Sequence, residues 1–150
     1  MAKGICTALS IPLITISTLE VMTRCVQIDE KLTDKDLLCP LIDARRMEVY
    51  TALFDNKVRS IEEQISLIIE EQPFQTYLSN NRIIYFGSGA EKAKPFINKE
   101  VSKIISNFQL HASYMSAESY RRYLSKEFAN LSYAEPNYLK EFYSPSKLHI

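Results

Sequence analysis

Charge of one sign is not in excess in this chain: 18 Lys and Arg stand against 18 Asp and Glu. A protein that grips nucleic acid by itself carries a basic surplus, because phosphate contacts dominate that affinity. No such footprint is present. Cysteine is scarce and odd in number. Cys6, Cys25 and Cys39 show no Cys-x-x-Cys spacing, which points to free, mostly buried thiols in a reducing cytosol rather than a disulfide framework. The two histidines, His111 and His149, stand far apart, so neither a zinc site nor a Cys–His catalytic pair has local support. No apolar run approaches the length of a membrane span. The first residues lack a charged segment followed by a long apolar stretch, so no signal peptide is expected. Repeats and low-complexity segments are missing too.

What is present is apolar content. Hydrophobic residues make up 46% of 150, enough for one domain with a substantial core and too much for a disordered chain. The most informative stretch is Leu38 to Asp55. Leu38 to Ile42 is nearly all apolar and reads as a strand buried on both faces. Met47 to Phe54, rich in β-branched and aromatic residues, reads as its hairpin partner. Between them Asp43, Arg45, Arg46 and Glu48 crowd four ionisable groups into six residues. A bare hairpin needs only Gly, Asn or Asp at its turn. A carboxylate beside guanidinium forks suits phosphate, carboxylate or partner contacts. The plainer reading is a solvated turn laced by surface ion pairs, each worth under about 1 kcal/mol.

Elsewhere, Ala2 to Leu9 reads as a short helix ended before Pro12, and Leu13 to Ile16 as a strand. Ser17 and Glu20 offer a capping box for a helix through about Val26; Ser17-Thr18 reads as that cap rather than as a nucleophile. Gln27 to Lys35 reads as a loop. Val58 to Gln72 fits both a helix and a strand. Pro73 to Leu78 reads as a short helix. Ile83 to Phe86 is a strand closed by Gly87-Ser88-Gly89. A helix from about Ala90, interrupted at Pro95, would align Ile97, Val101, Ile104, Ile105 and Phe108 on one face. A short strand is expected near Phe108 to His111. Ser116 would cap a helix over Ala117 to Asn130 with Tyr120, Tyr123, Leu124, Phe128 and Leu131 buried. The tail from Tyr133 is expected to be extended and packed by Tyr138 and Leu139. The Tyr and Phe content could stack on bases, but at helical spacing it reads as core. Hairpin strands followed by strand–glycine turn–helix units imply a mixed α/β sandwich. The Gly87–Gly89 turn could bring backbone N–H groups to an anion; the plainer reading is a turn demanded by backbone dihedrals. It is neither a Walker loop nor a dinucleotide fingerprint.

Four pieces in order resemble the TsaB (YeaZ) family of bacterial threonylcarbamoyladenosine tRNA modification. They are Ala2-Lys3-Gly4-Ile5 through Ile11-Pro12-Leu13-Ile14 with Ser17-Thr18-Leu19-Glu20; Ile42-Asp43-Ala44-Arg45 with Glu48-Val49-Tyr50; Gly87-Ser88-Gly89; and Ala134-Glu135-Pro136-Asn137-Tyr138-Leu139-Lys140. The resemblance implies an α/β fold, a ribonuclease-H-like lobe of the actin-like ATPase and sugar kinase superfamily, in a family long described as glycoprotease-like. It implies a non-catalytic, cytoplasmic protein that binds a TsaD-like catalytic subunit, with a TsaE-like ATPase joining, and that meets tRNA through the complex. Homo-oligomers are a further expectation; a membrane partner is not. No catalytic residue, metal site or resident cofactor is assigned; ATP or ADP with Mg²⁺ is expected at most in the complete complex. The alternative is an ATP-binding or ATP-hydrolysing enzyme, or a peptidase, of the same superfamily.

The family's opening Asp-Thr strand and its Gly-Pro-Gly-Ser-x-Thr-Gly segment have no counterpart here. The expected layout is therefore residues 1–34 as a helix–strand–helix remnant of the first lobe and residues 35–150 as the second lobe. Asp43 then falls at the superfamily's second phosphate loop, and Gly87 and Gly89 near its adenosine loop. With Arg45, Arg46 and Glu48 they are the candidate ligand or partner residues. Leu13 to Ile16, without neighbouring strands, would expose backbone donors and apolar side chains. It is expected to fold back on the second lobe, pair with another copy or remain poorly ordered.

Overall fold

Alternation of apolar side chains decides the centre of the molecule, described here over residues 1–140 of a computed structural model. β1 (Asp36–Asp43) sends Leu37, Cys39 and Leu41 to one side and Leu38 to the other. Leu38, Cys39 and Leu41 are fully buried, as a strand covered on both faces requires. β2 (Glu48–Asp55), β3 (Ser60–Ile68), β4 (Arg82–Phe86) and β5 (Ser102–Ile105) complete one sheet of order β3-β2-β1-β4-β5. The β1–β2 and β2–β3 pairs are antiparallel; β1–β4 and β4–β5 are parallel. This is the mixed α/β arrangement expected.

Helices cover both faces. α1 (Ala2–Leu9) leads to α2 (Thr18–Asp29), whose Leu19, Met22 and Val26 pack on Leu38, Ala52, Phe54, Ile84 and Phe86. The opposite face is closed by α3 (Ala90–Ala93) and Ile97 over Leu41, Val49, Leu53 and Tyr85. Each buried aliphatic or aromatic side chain contributes about 1.5–3 kcal/mol of burial. α2 from the first 34 residues thus shares a core with the sheet. Buried polar groups are paired. Asp36, with a side chain 1% exposed, receives the Arg82 guanidinium at 2.6 and 3.0 Å and the Thr33 amide at 2.7 Å. Tyr85 donates to the Pro73 carbonyl at 2.6 Å.

Several expectations are corrected. Leu13 to Ile16 is no strand; it makes one isolated bridge, Leu13 to Ala129, because no strand of the sheet lies beside it. It does lie back against the body, with Gln64 donating to Ser17 Oγ at 2.8 Å and Arg122 to the Thr15 carbonyl at 2.6 Å. Ser17 precedes α2, yet its side chain makes no capping bond, and Glu20 turns to Arg24 and Arg122. α2 continues to Asp29, so the loop before β1 is shorter than expected. The ambiguous Val58–Gln72 stretch is strand β3, selected by pairing with β2.

The parallel ladder to β4 takes Ile104 and Ile105 into β5, so no single helix face joins Ile97 to Phe108. Residues 108–111 form no strand. α4 spans Ser116–Leu124, starts on Ser116 itself and buries only Glu118. Tyr120, Tyr123, Leu124 and Phe128, expected in the core, are 64%, 55%, 63% and 41% exposed because nothing in the described chain lies over that face. In the tail, Tyr138 is mostly exposed and Leu139 half-buried. The three thiols are free and buried. No helix among the described residues is long and apolar enough to cross a membrane. His149 lies outside the described residues.

Candidate functional site

The charged hairpin tip is built on an unfavourable backbone. Arg46 adopts φ 59°, the left-handed region that non-glycine residues enter at a cost of about 1–2 kcal/mol. The turn is closed by the Ala44 N–H on the Glu48 carbonyl at 3.0 Å and the Glu48 N–H on the Arg45 carbonyl at 3.3 Å. Glycine or asparagine would fit better at position 46, so the arginine is not there for the turn alone.

The structure brings four of the six candidate residues together. Asp43 forms an ion pair with Lys92 of α3, and its backbone N–H donates to Ser88 Oγ at 3.0 Å. Lys92 also donates to the Ala44 carbonyl, tying α3 to the tip. Gly87 and Gly89 lie directly on β1. The Gly89 N–H donates to the Leu41 carbonyl at 2.9 Å. In this arrangement the Gly89 amide and the Asp43 carboxylate are engaged within the protein rather than presented to an anion. Arg45 and Arg46 stay apart from this cluster, exposed at the outer end of the turn.

Lys92 also donates to the Glu48 backbone carbonyl at 3.4 Å, while the Glu48 carboxylate meets Lys140 and the Ser66 hydroxyl. The Lys140 ammonium, followed by the Ser66 hydroxyl, holds the Glu48 carboxyl below the usual carboxylate range. This pair is the most informative feature of the site. It fastens the Glu-Pro-x-Tyr-Leu-Lys tail to the hairpin tip across 92 residues of chain. Lys92, Ser66, Ser88 and Lys140 escaped the reading of candidate residues. Only Ser88 and Lys140 carried a signal, each as part of a motif that resembled the family.

Beside that clasp runs a groove of about 850 Å³. Residues 13–17 with the first turn of α2 form one wall and residues 134–140 the other, with Ile42, Tyr50 and Gln64 of the sheet between them. Ile42 and Tyr50 are directly paired across β1 and β2, so together they make an apolar floor. Three of the four sequence pieces quoted above therefore line one groove, and the fourth, Gly87–Gly89, braces its hairpin from behind.

A smaller cavity of about 290 Å³ lies between α2 and residues 105–114 and is lined by Cys25, Asp29, His111 and Tyr114. Cys25 lies 3.6 Å from Asp29 and 3.9 Å from the Gln109 carbonyl, and burial pushes its thiol up, away from the nucleophilic thiolate. Among the described residues no three His, Cys, Asp or Glu side chains gather to hold a metal.

Comparison with known proteins follows the same lines. The family model described as TsaD, tRNA N6-adenosine threonylcarbamoyltransferase, matches residues 1–102. Among solved structures, the chain is similar to an uncharacterized protein with similarity to peptidase YEAZ from Pseudomonas aeruginosa, at 18% identity and a TM-score of 0.76, over 92% of this chain and 63% of that one. It is similar also to YeaZ from Pseudomonas aeruginosa, at 18% identity and a TM-score of 0.72, over 92% of this chain and 64% of that one. The chain thus spans somewhat less than two thirds of either solved protein. No curated protein matches it.

Proposed function

The chain belongs to the TsaD family, described as tRNA N6-adenosine threonylcarbamoyltransferase, and from that membership together with the resemblance to TsaB we propose that it serves in threonylcarbamoyl modification of tRNA adenosine, the TsaB resemblance making it a non-catalytic, partner-binding subunit. Its partner in this reading is a TsaD-like catalytic subunit. A TsaE-like ATPase and tRNA join through that complex, in the cytoplasm.

One observation carries the reading: the pieces of sequence that resemble TsaB converge on a single apolar groove clasped by Glu48 and Lys140. The groove is walled by residues 13–19 and residues 134–140 and floored by Ile42 and Tyr50. That is the chemistry of docking a protein segment, in which apolar anchors bind and backbone groups set register. Arg45 and Arg46, exposed on the hairpin turn, suit an acidic rim on the partner.

Co-purification with a TsaD-like protein tests this. The wild-type chain should be retained, and Ile16→Asp or Tyr50→Ala should weaken retention about tenfold or more, as truncating or charging a central anchor does. Retention unchanged by both variants would sink the groove as the interface. The family's description favours a second reading, in which the chain itself transfers the threonylcarbamoyl group. Transfer to tRNA by this chain alone would establish it, and turnover of ATP with Mg²⁺ by the isolated chain would favour the ATPase alternative.

A further inference from the structure

Helix α4 is attached to the rest of the protein by charge. Its apolar residues Tyr120, Tyr123 and Leu124 face outward, and Glu118 is its one buried side chain. Glu118 receives Arg24 of α2 at 2.9 Å, Arg121 at 2.8 Å and Arg122 at 2.7 Å. Arg122 reaches on to Glu20 of α2 at 2.8 Å, and Arg121 to Glu127 at 2.7 Å. Three guanidinium groups and three carboxylates thus take the place of an apolar seam.

A second observation concerns what this ionic knot holds shut. The extended stretch at residues 13–16 has two backbone acceptors occupied from outside, and both partners come from α4 and the residues just after it. Arg122 donates to the Thr15 carbonyl at 2.6 Å, and the Ala129 N–H donates to the Leu13 carbonyl at 2.8 Å. The turn before α4 is anchored separately, by the Tyr114 hydroxyl on Asp29 at 2.7 Å. α4 therefore has a fixed pivot at one end and a polar fastening along its length.

We propose that residues 116–129 form an ionically fastened strap over the strand-like stretch at residues 13–16, able to lift while the sheet stays folded and thereby free the Leu13 and Thr15 carbonyls. Apolar packing opens only with the core it belongs to, whereas a helix held by ion pairs opens as a local unit of lower stability. Salt loosens the half-exposed part of the knot, since the Debye length falls from about 10 Å to about 3 Å between roughly 0.1 and 1 M.

Amide hydrogen exchange on the full chain tests the strap, with the Ala129 amide as reporter and the amides of β1 and β4 as the internal reference. Arg122→Gln removes the bonds to Glu118, Glu20 and Thr15 together. It should speed exchange at Ala129 about tenfold, the effect of losing a charge-assisted hydrogen bond from the closed state, and leave the reference amides unchanged. Raising salt from about 0.1 to about 1 M should speed Ala129 in the wild-type chain by a few fold, again without the reference amides. Exchange at Ala129 that is unmoved by the variant, or that rises only in step with the sheet, overturns the proposal. If the variant does not fold, the wild-type salt series decides alone, and a flat response at Ala129 refutes the strap.

Discussion

Replacing Gly87 by alanine gives a severe test of how the hairpin and the glycine turn are joined. Gly87 sits at φ 105°, where an L side chain is strained by about 1–3 kcal/mol. A Cβ there would stand 2.4 Å from the Leu41 carbonyl oxygen and 2.4 Å from Met22 Cε. The methionine end can swing away, but the carbonyl belongs to the central strand and cannot. Overpacking of that kind adds about 1–3 kcal/mol, so Gly87→Ala should cost about 2–6 kcal/mol in all. At Gly89 the backbone is ordinary, with φ −85°, and the added Cβ would meet Val49 Cγ1 at 2.7 Å. Gly89→Ala should therefore cost only the overpacking, about 1–3 kcal/mol. Ser88→Ala loses one exposed hydrogen bond from the Asp43 N–H and should cost about 1 kcal/mol or less. For a chain of this size each kcal/mol is about 2–4 °C in Tm. Thermal unfolding should thus rank Gly87→Ala lowest, with a fall of about 12 °C at the middle of that range, then Gly89→Ala, then Ser88→Ala. A Gly87→Ala protein as stable as the parent, or Gly89→Ala falling below it, would refute the claim that the turn's glycines are demanded by β1.

Two further outcomes follow from the ionisable groups. The Glu118 carboxyl is held down at about 2, first by Arg121 and then by Arg122, against burial that works the other way. Because its folded value is depressed, its stabilisation is full above the ordinary value of 4.5 and fades as pH falls from there toward about 2. The full shift corresponds to about 3 kcal/mol; with Arg121 half exposed and screened, about 1–2 kcal/mol is expected. Glu118→Gln should accordingly lower the urea midpoint at pH 7, and the gap from wild type should close between pH 4.5 and 2; a gap that ignores pH would remove the ionic account. Separately, burial pushes the Cys39 thiol up to about 12, so mass spectrometry after iodoacetamide at pH 8 should find Cys39 unmodified in the native chain and modified once urea unfolds it. Rapid native alkylation would mean the β1 core is open.

Short-range pattern was enough for several elements and misleading for others, and the difference is physical. Leu38–Ile42 and Ile83–Phe86 are continuous apolar runs whose burial on both faces admits little but a central strand. Gly87-Ser88-Gly89 announced a tight turn, and the crowding at Asp43–Glu48 marked the tip where the tail later lands. By contrast, Ile97 to Phe108 satisfied helical spacing, yet Ile104 and Ile105 gain more by pairing with Tyr85 and Phe86 of β4. Tyr120 to Phe128 showed an amphipathic stripe, but a stripe states that one face is apolar and not that anything covers it.

By itself, then, the order of residues determined the hairpin, the glycine turn, the balance of charge and the identity of the central strands, because each depends on side chains within one or two turns of chain. Only the tertiary structure decided that Lys140 closes on Glu48, that Arg122 caps Thr15 and that α4 is held by charge with its apolar face outward. Those pairings join residues 92 and 107 positions apart or depend on which surface finds a neighbour. Such proximity is a property of the folded sheet and its register, which no local window of sequence contains.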